Sequence, residues 1–181
     1  MMQKSLFEHL GLAPDNGRRI REISECSDDL EIGKAAEHLV CADLILSGYR
    51  AFLSDQGLAY DILVDIGGRF LRVQVKATRK PKNHDPKTRV TPGYFFHLRR
   101  AGKGGNRHYP KNAFDMYALV ALDRQAIAYL PVKDCPNQTI ALRVPGESYL
   151  QSGSLNREFN TASFRTALER IGLSESFGIA K

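Results

Sequence analysis

Cysteine is scarce in this 181-residue chain: Cys26, Cys41 and Cys135 stand far apart, and none belongs to a CxxC pair. That spacing argues against a disulfide framework or a zinc site and fits a reducing, cytoplasmic (intracellular) compartment. Long apolar runs are missing too, since no stretch reaches the ~20 residues a membrane-spanning helix needs. The first residues carry no basic-then-apolar pattern, so neither export nor membrane insertion is expected. There is no internal repeat and no low-complexity block. Acids are depleted in one place. Residues 69–111 hold thirteen Lys/Arg and a single acid, Asp85, a local charge of +12 in a chain whose overall charge is +6. Such a segment is either a solvated loop that keeps the protein soluble or a phosphate-binding surface, and its start beside the residues discussed below favours the second.

The chain is long enough for one domain that buries about two thirds of its unfolded surface. Ser5–Leu12 reads as a short apolar helix, broken at Pro14-Asp15-Asn16-Gly17. Ser27-Asp28-Asp29 reads as a helix start, with a capping side chain and acids in the first turn. That helix is expected to run to Ser47 and stop at Gly48, with Ala36, Val40 and Leu44 as its apolar stripe, widened by Leu39 and Ile45. Strands are expected at Tyr49–Leu53, on both sides of Gly67-Gly68, and at Gly93–Leu98, Asp115–Leu122 and Ala126–Leu130. A final helix carries Phe164, Ala167, Leu168 and Ile171, with Asn160 or Thr161 as cap and Gly172 as terminator. The fold class is α/β (α+β), a central mixed β-sheet flanked by α-helices. Residues 27–135 form the expected core, residues 1–26 an N-terminal extension, and residues 136–181 a C-terminal extension whose helix packs on the core.

The segment YDILVDIGGRFLRVQVKATR, residues 60–79, is the most informative. Its paired glycines suit a two-residue turn with positive φ. A tight turn sets Ile66 opposite Arg69, and with it Ile62 opposite Val73 and Val64 opposite Leu71 on a dry face, which Tyr60 and Val75 extend. The other face then brings Asp61 opposite Gln74, with Lys76 diagonal to it. A carboxylate, an amide oxygen and an ammonium so placed suit a metal ion that activates water beside a phosphate. Otherwise Asp61 is a strand-end turn acid and Lys76 a surface lysine on an edge strand. Asp65 reads as a surface acid.

Gln74 offers only a neutral oxygen, so another acid is needed for a firmly held cation. Glu37 meets that need, because it lies on the inward edge of the first helix. A carboxylate there must be paired, protonated or bound to a cation. It is either a ligand or half of a salt bridge, with Lys76 as one available partner. Downstream, Gly102-Lys103-Gly104-Gly105 lacks the GxxxxGK[ST] pattern and is not a P-loop. Arg79, Lys80, Lys82, Arg99, Arg100, Lys103, Arg107 and Lys111 are the candidate contacts to a nucleic-acid backbone, interleaved with His97, His108 and Tyr109 as base-stacking candidates. The competing reading of this loop is a disordered hairpin tip.

Gly33-x-x-x-Glu37 on a helix, Tyr60-Asp61 opening a strand, and Gln74-Val75-Lys76 on the next strand together resemble the PD-(D/E)XK nuclease superfamily. The QxK form preceded by GKAAEHLVCADLILSGY looks most like the group I intron-associated endonucleases of that superfamily, a homing-endonuclease type. The resemblance covers about residues 30–131 and includes Tyr109-Pro110, Asp115-Met116-Tyr117 and Leu130-Pro131. It implies a restriction-endonuclease-like core and Mg²⁺-dependent phosphodiester hydrolysis (Mn²⁺ substituting) of double-stranded DNA. Asp61, Gln74 and Glu37 are then metal ligands and Lys76 the catalytic lysine. Gln at position 74 departs from the usual acid of the motif, an exchange for which this subgroup is known.

The leading expectation is therefore a metal-dependent DNA endonuclease, acting as a homo-oligomer if both strands are cut. A structure-selective nuclease of the Holliday-junction type is a second reading. A non-catalytic DNA-binding module of the same fold is a third.

Overall fold

The structure, a computed structural model, describes residues 29–82, 93–100, 108–110, 112–144 and 158–173. The expected helix at Ser5–Leu12, the start at Ser27-Asp28, and Lys103, Arg107 and Lys111 lie outside the described residues.

Helix α1 (Asp29–Leu46) opens with Asp29 and Glu31, acids that complement the positive end of the helix dipole. It closes at Gly48, whose φ of 91° is open to glycine at little cost. Gly48 N–H donates to the Ile45 carbonyl and Tyr49 N–H to that of Leu44, so the last turn keeps its acceptors filled. Ile32, Ala36, Val40, Cys41 and Leu44 are buried. Of the two residues expected to widen the stripe, Leu39 packs against the core while Ile45 is 52% exposed, and Cys41 joins the buried face.

Strand β1 (Arg50–Leu53) pairs antiparallel with β2 (Ile62–Ile66), which turns at Gly67-Gly68 into β3 (Arg69–Thr78). The expected register holds: Ile66 faces Arg69, Val64 faces Leu71 and Ile62 faces Val73. The turn glycines have φ of 60° and 89°, and Asp65 Oδ1 accepts the Gly68 N–H at 2.8 Å, which gives that acid a local role. Strand β4 (Gly93–His97) follows, then β5 (Met116–Ala121), which pairs parallel with β3, and β6 (Ala126–Pro131), antiparallel to β5. Among the described residues the main sheet has the order β1-β2-β3-β5-β6 and is mixed, as expected. Strand β4 stands apart from it. It pairs with β7 (Thr139–Arg143), a strand not anticipated from the sequence, in a separate two-stranded sheet.

Alternation along β3, β5 and β6 divides the core into two clusters. Ile62, Val64, Leu71, Val73, Val75, Met116, Ala118 and Val120 pack with α1 and with helix α2 (Phe164–Arg170). On the opposite face Tyr117, Leu119, Ala128 and Leu130 pack with Tyr94, Phe96, Ile140 and Leu142 of the small sheet. Helix α2 is capped by Ser163, whose Oγ accepts the Thr166 N–H. The expected caps Asn160 and Thr161 instead form a 3-10 turn, Phe159–Thr161, just upstream. Gly172, with φ of 78°, terminates α2 as expected.

Candidate active site

The site begins where the β2–β3 ladder ends. Its last backbone pair is Ile62–Val73, and beyond it Asp61 N–H donates to the Val73 carbonyl at 2.9 Å. Strand β3 continues to Thr78 because β5 supports its other edge. Val75 therefore has a backbone N–H facing the side where β2 has stopped. The Asp61 carboxylate fills that gap, accepting the Val75 N–H on Oδ2 at 2.7 Å. The same oxygen accepts a close hydrogen bond from Gln74 Nε2. Tyr60 leaves the ladder here and joins the cluster around Tyr94 and Tyr117, so it does not extend the dry face with Val75 as expected.

Gln74 is 7% exposed, and it is the buried polar side chain among the described residues. Its amide N–H groups are taken by Asp61 and, at 3.2 Å, by the Val75 carbonyl. Burial raises the Asp61 carboxyl above its ordinary range. The Val75 N–H, Lys76 and Gln74 oppose this, whereas the Glu37 charge adds to it. Glu37 thus acts on Asp61 electrostatically from α1, and its side chain is 22% exposed. Its ion-pair partner is Lys34 of the same helix, Nζ to Oε2 3.1 Å, and not Lys76.

Lys76 shares the face of Gln74. Burial lowers its ammonium pKa, the Asp61 carboxylate raises it, and the Arg100 charge lowers it, for a net downward shift. Its Nζ donates to the Tyr109 hydroxyl at 2.8 Å and to the Arg99 carbonyl at 3.4 Å, and lies 5.1 Å from the centre of the Tyr109 ring. Tyr109 packs edge-on against Phe114, 4.9 Å between centroids, and is half-buried, with its hydroxyl on the lysine. The sequence suggests base stacking for Tyr109; its bond to Lys76 is not legible there, because nothing local to residues 108–110 says which strand they cover.

The loop bearing Tyr109 is fastened further along. Asp115 accepts from Arg72 Nε at 3.2 Å, from Arg72 Nη2 at 3.0 Å and from the Arg72 N–H at 2.9 Å, while Arg72 Nη1 donates to the Asn112 carbonyl at 2.8 Å. On the other side, the Tyr117 hydroxyl donates to the Leu98 carbonyl at 3.1 Å, which fixes the segment that carries Arg99 and Arg100 over Lys76.

Three further basic candidates lie among the described residues. Arg79 pairs with Asp29 at the start of α1, 2.9 Å. Lys80 is exposed. Lys82 is exposed, with Nζ 5.1 Å from the Phe95 ring centre.

These residues fit a divalent cation by donor type: carboxylates of Asp61 and Glu37 and an amide of Gln74, all hard oxygen donors. The upward pull of burial and of Glu37 on Asp61 is what a bound cation relieves. Gln74 would have to turn its amide by half a revolution to present oxygen, a change that alters its shape very little. Among the described residues no group of three or more His, Cys, Asp or Glu is placed to hold a metal.

None of the curated proteins compared matches this chain. A solved structure of a bacterial homing endonuclease superposes with a TM-score of 0.55 at 19% identity, covering 69% of this chain and 85% of that one, which shows a shared fold. The family model described as PD-(D/E)XK endonuclease matches residues 28–162. That span takes in Glu37, Asp61, Gln74 and Lys76 together, and the chain belongs to the PD-(D/E)XK endonuclease family.

Proposed function

We propose that this chain is a Mg²⁺-dependent endodeoxyribonuclease that hydrolyses phosphodiester bonds of double-stranded DNA, with Mn²⁺ able to replace Mg²⁺. Asp61, Gln74 and Glu37 would hold the cation. When bound, it lowers the pKa of water and offsets negative charge on the phosphate. Lys76 directs its ammonium at the charge that grows on the phosphate oxygens. Arg99 and Arg100, next to Lys76, seat the backbone. The observation that carries this reading is the meeting of Asp61, Gln74 and Lys76 at the end of one ladder, in a chain of an endonuclease family. Cutting both strands would call for two such centres, hence a homo-oligomer.

One observation favours a second reading, a DNA-binding module without turnover: position 74 carries a neutral glutamine where the motif usually has an acid. Supercoiled plasmid separates the two. The proposal expects nicked and linear products with Mg²⁺ and none with a chelator. Tight, salt-sensitive DNA binding without products in either Mg²⁺ or Mn²⁺ would leave the second reading standing.

A further inference from the structure

We infer that Tyr109 is a positioning residue for the reaction, holding the Lys76 ammonium in place over the Asp61–Gln74 pair. This rests on the nuclease reading for its consequence, though not for its geometry.

A lysine side chain has four rotatable bonds above its backbone and no shape of its own to fix the ammonium. Lys76 therefore needs acceptors near the position where it acts. An ammonium only donates, so the Tyr109 oxygen must be the acceptor in their 2.8 Å contact. The Arg99 carbonyl takes a second proton more loosely, at 3.4 Å. Among the described contacts, that leaves one of the three ammonium protons for the substrate.

Tyr109 is itself held. Its ring meets Phe114 edge-on, and Phe114 meets Tyr117 in the same manner at 4.7 Å. Asp115, the next residue, is clamped to Arg72 of β3 by two guanidinium hydrogen bonds. Arg72 and Lys76 lie on one face of one strand, so the clamp and the lysine share a rigid frame. The phenol stays protonated through the neutral range, with its pKa pushed up to about 12 by burial and by the Asp61 charge. It therefore adds no charge that would compete with the phosphate for Lys76.

The test uses Tyr109→Phe, which keeps the ring on Phe114 and removes only the hydroxyl. The first readout is turnover. The variant should lose about 10-fold in kcat while its KM for DNA stays within about twofold of wild type. The second is free of turnover. In ¹⁵N-lysine-labelled protein the Lys76 ammonium resonance, assigned by its loss in Lys76→Arg, should be resolved in wild type and broadened away in Tyr109→Phe. Wild-type kcat in Tyr109→Phe overturns the inference. So does a raised KM with kcat unchanged, which would make the phenol a DNA contact. An ammonium resonance indifferent to the hydroxyl, or absent from wild type, overturns it as well. If wild type leaves DNA intact while the resonance still depends on Tyr109, the pairing stands and the nuclease reading falls.

Discussion

Asp61 takes the part of a backbone carbonyl for Val75, accepting its N–H at 2.7 Å where β2 has ended and β3 has not. The carboxylate is thus a structural acceptor as well as a candidate ligand, and substitutions can separate the roles. Asp61→Ala strands the Val75 N–H and the Gln74 amide in a half-buried place and should cost about 1–3 kcal/mol of stability. Asp61→Asn keeps an acceptor oxygen and should unfold in urea close to wild type. Equal stabilities for Ala and Asn would show that the ladder end does not depend on that oxygen.

The Arg72–Asp115 clamp should be visible in acid. Burial raises the Asp115 carboxyl, but the Arg72 guanidinium and N–H lower it by more, so the net shift is downward. The unfolded chain then takes up this proton first as pH falls. The stabilisation is complete above the unfolded value of about 3.9 and is lost as pH drops through the lower folded value. Asp115→Asn should be less stable than wild type by about 1.5–3 kcal/mol at neutral pH. The gap should close in strong acid. A gap independent of pH would contradict the charge-based account.

Gln74 is where a neutral group sits among acids. Gln74→Glu should bind Mn²⁺ about tenfold more tightly by calorimetry, since charge count sets affinity at such sites. Without metal the same variant should be less stable, because a third carboxylate joins Asp61 and Glu37 in partial burial. Unchanged Mn²⁺ affinity would place the cation away from residue 74.

If Arg99 and Arg100 seat the DNA backbone, replacing both by Ala should reduce the salt dependence of duplex binding. The slope of log K against log salt should shallow by about 1.8. An unaltered slope would route the DNA elsewhere.

Much of this arrangement is legible in the sequence because it is local. Gly67-Gly68 dictates a tight turn, the turn dictates register, and register brings Asp61 to Gln74 and Lys76 to the same face. The α1 stripe and its Gly48 terminator follow from a 3.6-residue period and a positive φ. The missed strand pairing is non-local. Gly93–His97 has the apolar content of a central strand, yet it pairs with β7, whose short TIALR run gives too weak an alternation to stand out. Ser163, Asn160 and Thr161 are all able caps, and the 3-10 turn at Phe159–Thr161 decides between them. In the salt-bridge alternative for Glu37, Lys76 is one available partner, but Lys34, one helical turn away, takes that place. Tyr109 lies 33 residues from Lys76, and only the tertiary structure joins them.

The central claim is that Asp61 and Lys76 work as one centre on a phosphate. Single-turnover cleavage of duplex DNA in Mg²⁺ by wild type, Asp61→Asn and Lys76→Met tests it most directly, with circular dichroism confirming each fold. Each variant should be slower by a factor of about 10² or more. Cleavage by either at the wild-type rate would contradict the account.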